Sequence, residues 1–228
     1  MNPIEYQERT HSIFHNLKND IPDDRTPRSI TVIQSGVLVA WLEPVTVRDL
    51  DSEESIRLFS KWREQHSWWF PAQFQVTKEG TGRWLKAGLL DKPDRMLFWV
   101  VVPDNSTARK IGHMGLFRIN PEDYSCEADN IVRGEEEPKG IMTSALKALM
   151  AWTFSILKNW ALELTVYEDN PRALALYDRC GFKTIKRIPL KRVEEPGIVK
   201  WEELPDELPG CSLSAERYFL KMRIEQPS

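Results

Sequence analysis

Apolar positions along the chain change period in a way that separates strands from helices. From Met96 to Val102 almost every residue is apolar, the pattern of a central strand covered on both faces. Lys110–Ile119, after the turn PDNST, and Ser125–Val132, after PEDY, follow as strands. In Leu162–Val166, Leu162, Leu164 and Val166 fall on one face. Ile30–Ile33 and Val37–Leu42 form a strand pair turned at Gln34-Ser35-Gly36, and Lys183–Ile188 and Glu216–Ile224 complete the set. Between these the period lengthens. Ile56, Leu58, Phe59 and Trp62 make the apolar stripe of a helix capped by Asp51 or Ser52 and running to about His66. A second helix is expected around Thr77–Leu90. Ile141–Leu157 is apolar nearly all round, which predicts a helix buried against a sheet. Residues 1–35 read as an N-terminal extension, a polar helix and then the loop IPDDRTPRS. Residues 36–228 read as one domain, with the charged, Pro-rich stretch 190–212 as an insertion between the last two strands. Helices between strands indicate an α/β or α+β fold with helices on both faces of a sheet.

The length of 228 residues suits one well-buried domain with extras, or two small ones at most. Net charge is 31 − 34 = −3, which gives no global attraction to nucleic acid or anionic lipid. The N-terminus has no apolar stretch of the signal-peptide kind, and the run Ile141–Leu157, which carries Lys147, is too short and polar to span a bilayer. Cys126, Cys180 and Cys211 are odd in number and far apart, so they read as reduced thiols of a cytoplasmic protein. His11 and His15 stand one helical turn apart without a third ligand nearby, so no metal is expected.

Two stretches carry candidate chemistry. In Glu168–Phe182, EDNPRALALYDRCGF, Asn170 suits an N-cap, Pro171 the first helical position and Gly181 the left-handed C′ position. Tyr177 lies one turn after Ala173, so nothing bulky covers it from that side. Its ordinary pKa near ~10 keeps it protonated at neutral pH, a donor for an anionic leaving group. The second stretch is Pro138–Ser144. The backbone amides of Lys139, Gly140, Ile141, Met142, Thr143 and Ser144 open a helix there and suit phosphate, although Glu135–Glu137 repel it. It is not a Walker loop, because Lys139 precedes Gly140.

These pieces stand in the order of a known family. The chain resembles the GNAT superfamily of N-acetyltransferases over roughly residues 36–189 and the last strand. NPRALALYDRCGF is similar to the pattern Asn-x-x-Ala-x-x-Leu-Tyr-x-x-x-Gly-Phe, and IGHMGLFRI precedes CEADNIVRG. The window Glu137–Met142 is similar to the pyrophosphate loop Gln/Arg-x-x-Gly-x-Gly/Ala, with Glu at its first position and Met at its last. The resemblance implies a mixed, mostly antiparallel central sheet flanked by helices and splayed between strands 4 and 5. It implies acetyl-CoA as cosubstrate. Pantetheine would pair with the strand edge at Asn130, Ile131 and Val132, pyrophosphate would sit on the amides of Lys139–Ser144, and Asn170 and Tyr177 would lie beside the thiol, Tyr177 being the general acid.

Alternation puts Glu127, Asp129 and Ile131 on one face, and repulsion between the two carboxylates raises one pKa toward that of a useful base. Glu127 matches a family base position and ranks before Asp129; His113 on the neighbouring strand is a third candidate. The resemblance places the acceptor between the loop HSWWFPAQF and the segment Pro189–Gly210, so Trp68, Trp69 and Phe70 are candidate contacts, as is His113. Flat rings suit a sugar face, which favours a small-molecule amine, in particular a nucleotide-linked amino sugar. Acetylation of a protein or peptide amine, a non-catalytic acyl-CoA-binding domain, and packing or dimer contacts for the aromatic loop stand as alternatives, with a homodimer left open.

Overall fold

The structure is a computed structural model and describes residues 1–22, 26–104, 107–136, 139–205 and 215–226. Its strands are β1 (Ile30–Gln34), β2 (Val37–Pro44), β3 (Ala72–Phe74), β4 (Met96–Asp104), β5 (Thr107–Asn120), β6 (Ser125–Arg133), β7 (Ala161–Tyr167), β8 (Lys183–Glu195), β9 (Ile198–Glu203) and β10 (Arg217–Glu225). They form one sheet in the order β1-β2-β4-β5-β6-β7-β10-β8-β9-β3, antiparallel throughout except for the pair β6–β7. The helices are α1 (Pro3–Lys18), α2 (Glu53–Gln65), α3 (Lys78–Arg83), α4 (Ile141–Trp152) and α5 (Pro171–Cys180). Both α3 and α4 continue into a π-helical turn, Trp84–Leu90 and Thr153–Leu157.

The sheet separates two apolar layers. On one face α1, α4 and α5 pack Phe14, Leu146, Leu149 and Cys180 against Phe98, Met114, Ala128 and Leu164. On the other, α2 and the π turn after α3 pack Leu58, Phe59, Trp62 and Leu85 against Leu97, Trp99 and Val132. A smaller group, Tyr167, Ile188, Leu190 and Phe219 with Trp201, continues that second face beyond β7. The N-terminal helix is part of the core: Tyr6 is fully buried and its hydroxyl donates to Asn159 Oδ1 at 2.9 Å.

Two strands differ from the sequence pattern. The expected strand Lys183–Ile188 runs on to Glu195 and turns at Gly197 (φ +78°) into β9, so residues 198–203 of the expected insertion pair in the sheet. Exposed, charged positions hide the period of two there. The end of the aromatic loop becomes β3, which pairs with β9, and the Trp201 amide donates to Pro71 O at 2.8 Å. Cys126 and Cys180 are free and buried; Cys211 lies outside the described residues. Among the described residues no helix is long and apolar enough to cross a membrane, and no group of three His, Cys, Asp or Glu could hold a metal. A cavity of 310 Å³ lies between α1 and β2, and none of its lining residues belongs to β6 or β7.

Candidate active site

The sheet opens where β6 and β7 part. These parallel strands pair only at Ser125↔Ala161, Cys126↔Leu162 and Glu127↔Glu163. From Ala128 onward the edge of β6 that faces β7 has no strand partner among the described residues. A bulge re-aims β6 in this stretch. While β5 advances from His113 to Gly115, β6 advances from Val132 to Asp129, one residue more, and Asn130 takes φ +50°. Asn tolerates that left-handed conformation better than most residues. An extra residue reverses the alternation. Cys126 and Ala128 face α4, Glu127 and Asp129 face away from it, and beyond the bulge Ile131 turns to the α4 layer while Val132 joins the α2 layer. Ile131 therefore does not share a face with Glu127 and Asp129, as simple alternation predicts.

His113 holds the bulge from behind. Its Nδ1–H donates to Asn130 O at 2.7 Å, since a carbonyl can only accept. The ring is packed among Phe59, Trp62 and Trp99, is 4% exposed, and burial pushes its pKa down to about 4. It is a neutral core residue under β6, not part of an open acceptor wall or an accessible base.

The carboxylates are separately paired. Glu127 accepts from Arg118 Nη1 at 2.8 Å, and Asp129 is bonded to Arg95 and accepts from Asn130 Nδ2 at 2.9 Å. Arg95 is tied to Gly88 O at 2.9 Å and lies over the Phe117 ring at 4.6 Å. Burial raises the pKa of Glu127 above the usual carboxylate range; Arg118 opposes this and Asp129 adds to it. The repulsion expected between the two carboxylates does raise this pKa, but desolvation is the larger cause and Arg118 opposes both. Beside Glu127, Glu163 is held by Lys221 at 2.6 Å and Arg223 at 2.9 Å.

The α4 N-terminus follows the expectation with one change. Gly140 caps it at φ +95°, and among the described residues no side chain caps the helix start at Ile141, Met142 and Thr143. The Ser144 amide already donates to Gly140 O at 2.9 Å, so it is not one of the free donors. Ile141 and Met142 turn their side chains into the core, leaving only backbone to meet an anion. Lys139 precedes this turn; Glu137 and Pro138 lie outside the described residues.

Helix α5 is closed at both ends. Asn170 Oδ1 accepts from the Ala173 amide at 3.1 Å, Pro171 is the first helical residue, and Gly181 takes φ +95°. Tyr177 is buried in the α4 layer with its ring 6.0 Å from that of Phe182. Burial first, then the Cys180 thiol and the Asp129 carboxylate, push its pKa well above the ordinary value. Its hydroxyl therefore keeps its proton at neutral pH.

The aromatic loop crosses from α2 toward β9. His66 Nε2 donates to Arg133 O at 2.9 Å, Phe70 lies 3.6 Å beneath the Arg63 guanidinium, and Tyr167 donates to Phe70 O at 3.3 Å. Trp68 remains 53% exposed and Trp69 37%. Both rings border Arg217, which lies 3.4 Å over Tyr167. Sequence reasoning missed Arg95, Arg118, Tyr167 and Arg217. No motif marks them, and only strand pairing brings them to the site.

Residues 41–183 match the family model described as Acetyltransferase (GNAT) domain. The chain is 31% identical to the spermidine N(1)-acetyltransferase of Vibrio cholerae over 81 residues, 36% of this chain and 47% of that protein. It therefore spans about half the length of that curated relative. It is 24% identical to the N-acetyltransferase 9-like protein of Caenorhabditis briggsae over 183 residues, 77% of each. The crystal structure of spermidine N-acetyltransferase from Vibrio cholerae in complex with CoA and spermine superposes with a TM-score of 0.60 at 18% identity, covering 81% of this chain and 94% of that one.

Proposed function

Because the chain belongs to the GNAT acetyltransferase family, we propose that it moves an acetyl group from acetyl-CoA to the primary amine of a small molecule, by direct attack of the amine on the thioester. One observation carries this reading: among the described residues the edge of β6 beyond Glu127 has no strand partner, with the half-buried Glu127 carboxylate on one face of the sheet and the buried Tyr177 in the layer on the other.

The amides of Ile141, Met142 and Thr143, with Gly140 and Lys139, receive the pyrophosphate. The edge at Asn130, Ile131 and Val132 pairs with the pantetheine arm, and Asn170 stands at the start of α5 beside it. Glu127, its pKa raised by burial, takes a proton from the substrate ammonium, and the neutral amine so formed attacks the thioester carbonyl. The new N–C bond forms, the C–S bond breaks, the Tyr177 hydroxyl supplies the proton that leaves with sulfur, and the second proton lost from the acylated nitrogen restores that hydroxyl by way of solvent. Asp129, held by Arg95, is a positioning residue. Trp68, Trp69 and Phe70 wall the acceptor side.

Two of the relatives named above are spermidine enzymes, but a polyamine suits this floor poorly. Among the described residues Glu127, Asp129 and Glu163 are each paired with their own cations, so these three carboxylates offer a polycation little surplus negative charge. A monoamine fits better, and a nucleotide-linked amino sugar is one such acceptor. The test is thiol release from acetyl-CoA with a panel of monoamines, amino sugars, polyamines and peptides. Turnover with a monoamine supports the reading. CoA binding without turnover on any amine would make the chain an acyl-CoA-binding domain, and failure to bind CoA would remove the reading entirely.

A further inference from the structure

Arg217 opens β10 next to the C-terminal end of β7, the end at which the sheet splays. Its side chain is 6% exposed. Nε donates to Asp169 Oδ1 at 3.0 Å and Nη1 to Trp68 O at 3.3 Å, but Nη2 is buried and has no partner among the described residues. The guanidinium is boxed by rings: Tyr167 at 3.4 Å, Trp68 at 4.9 Å, Trp201 at 5.4 Å and Trp69 at 5.5 Å.

Two more buried donors have no partner among the described residues: Trp201 Nε1, whose ring borders the Arg217 guanidinium, and Gln73 Nε2, further along the sheet. The ladders put all three on one face. Arg217 pairs with Leu190, Leu190 pairs with Glu203, Trp201 is two residues before Glu203, and Gln73 pairs with Val199, two before Trp201. A second guanidinium, Arg63, stands close enough to Tyr167 to act on its ionisation, as Arg217 does. Buried polar groups are normally satisfied, so a caged cation with an unmet N–H and two further unmet donors on its face call for an occupant that brings only acceptors.

We propose that this patch is an oxyanion subsite of the acceptor pocket, taking a carboxylate or phosphate carried by the amine substrate; the assignment of that role rests on the acetyltransferase reading above. Arg217 Nη2 donates to one oxygen and Trp201 Nε1 to another, Gln73 further along the same face takes a second acceptor of the substrate, and the exposed faces of Trp68 and Trp69 cover its body. An amine with donors alone, such as a diamine, leaves all three groups unmet. The patch therefore selects acceptors that carry an acidic group as well as an amine.

Two probes distinguish the sources of the oxyanion, malonate for a carboxylate and inorganic phosphate for a phosphoryl group. Each is titrated into the full-length chain with CoA saturating, so that the α4 amides do not compete, and tryptophan fluorescence and melting temperature are followed. One probe is expected to bind saturably and raise the melting temperature, with putrescine failing to compete. Arg217→Gln is expected to weaken it about tenfold or more, the loss of a charge-assisted hydrogen bond. That variant also releases Asp169, so Trp201→Phe, which keeps a ring and removes one N–H, is the second arm. It is expected to weaken the anion severalfold while the ligand-free melting temperature stays level or rises, because a buried unpartnered donor is gone. The proposal is overturned by absence of saturable binding of either probe, by equal affinity in wild type and both variants, or by a Trp201→Phe chain that melts lower yet binds the anion unchanged. CoA affinity is measured separately: its absence would sink the acetyltransferase reading and leave the anion result standing.

Discussion

Tyr177→Phe removes one oxygen from the end of a helix whose caps do not depend on it. Asn170 and Gly181 still close α5, and the ring still packs against Phe182. The change in stability should stay within about 1 kcal/mol. The catalytic effect should be far larger. An unperturbed phenol is already ~99% protonated at pH 8, and burial here pushes the pKa higher still, so the wild-type hydroxyl is a proton donor across pH 6–9. A positioned general acid contributes about 10²–10⁴-fold, which corresponds to about 2.7–5.4 kcal/mol of barrier at about 1.36 kcal/mol per tenfold. The assay is the initial rate of thiol release at saturating acetyl-CoA, with CoA affinity by calorimetry and the melting temperature measured alongside. We expect kcat to fall by that factor, evenly over pH 6–9, with the acceptor KM unchanged because Glu127 and the acceptor side lie on the other face of β6. A thioester whose thiol is more acidic needs less protonation, so it should recover more activity in the variant than in wild type. Near wild-type kcat in a folded variant that binds CoA normally would refute the assignment, as would a deficit indifferent to the thiol.

Glu127→Gln should change the pH profile in another way. The carboxylate pKa is raised by burial, so the base is protonated and lost on the acid side of that raised value, and wild-type kcat/KM should fall there. In the variant the deficit should shrink as pH rises and neutral amine forms unaided; a deficit equal at every pH would exclude Glu127 as the base. Gly140→Ala forces a Cβ into a left-handed position at φ +95°, 2.9 Å from Gln34 Nε2. The strain of about 1–2 kcal/mol, if relieved by moving the turn, should weaken CoA about 5- to 30-fold and leave the acceptor KM alone. Unchanged CoA affinity by calorimetry would dismiss the α4 amides as the pyrophosphate cradle.

Local chemistry was legible along the chain. Ser52 caps α2, and Asn170 and Gly181 close α5, because each cap satisfies backbone groups within three or four residues of itself. The apolar run Met96–Val102 became a strand buried on both faces for an equally local reason, its unbroken hydrophobicity. Tyr177 and the α4 amides could therefore be placed from sequence. The bulge at Asn130 could not, because it exists only in register with β5, and it alone decides that Ile131 leaves the face of Glu127. The charge state of the site was hidden for the same reason. Arg95 and Asp129 are 34 residues apart, and Arg217 and Asp169 are 48 apart. A carboxylate's neighbours in sequence show that it can be charged; only the packed sheet decides which cation neutralises it, how deeply it is desolvated, and hence whether it can take a proton.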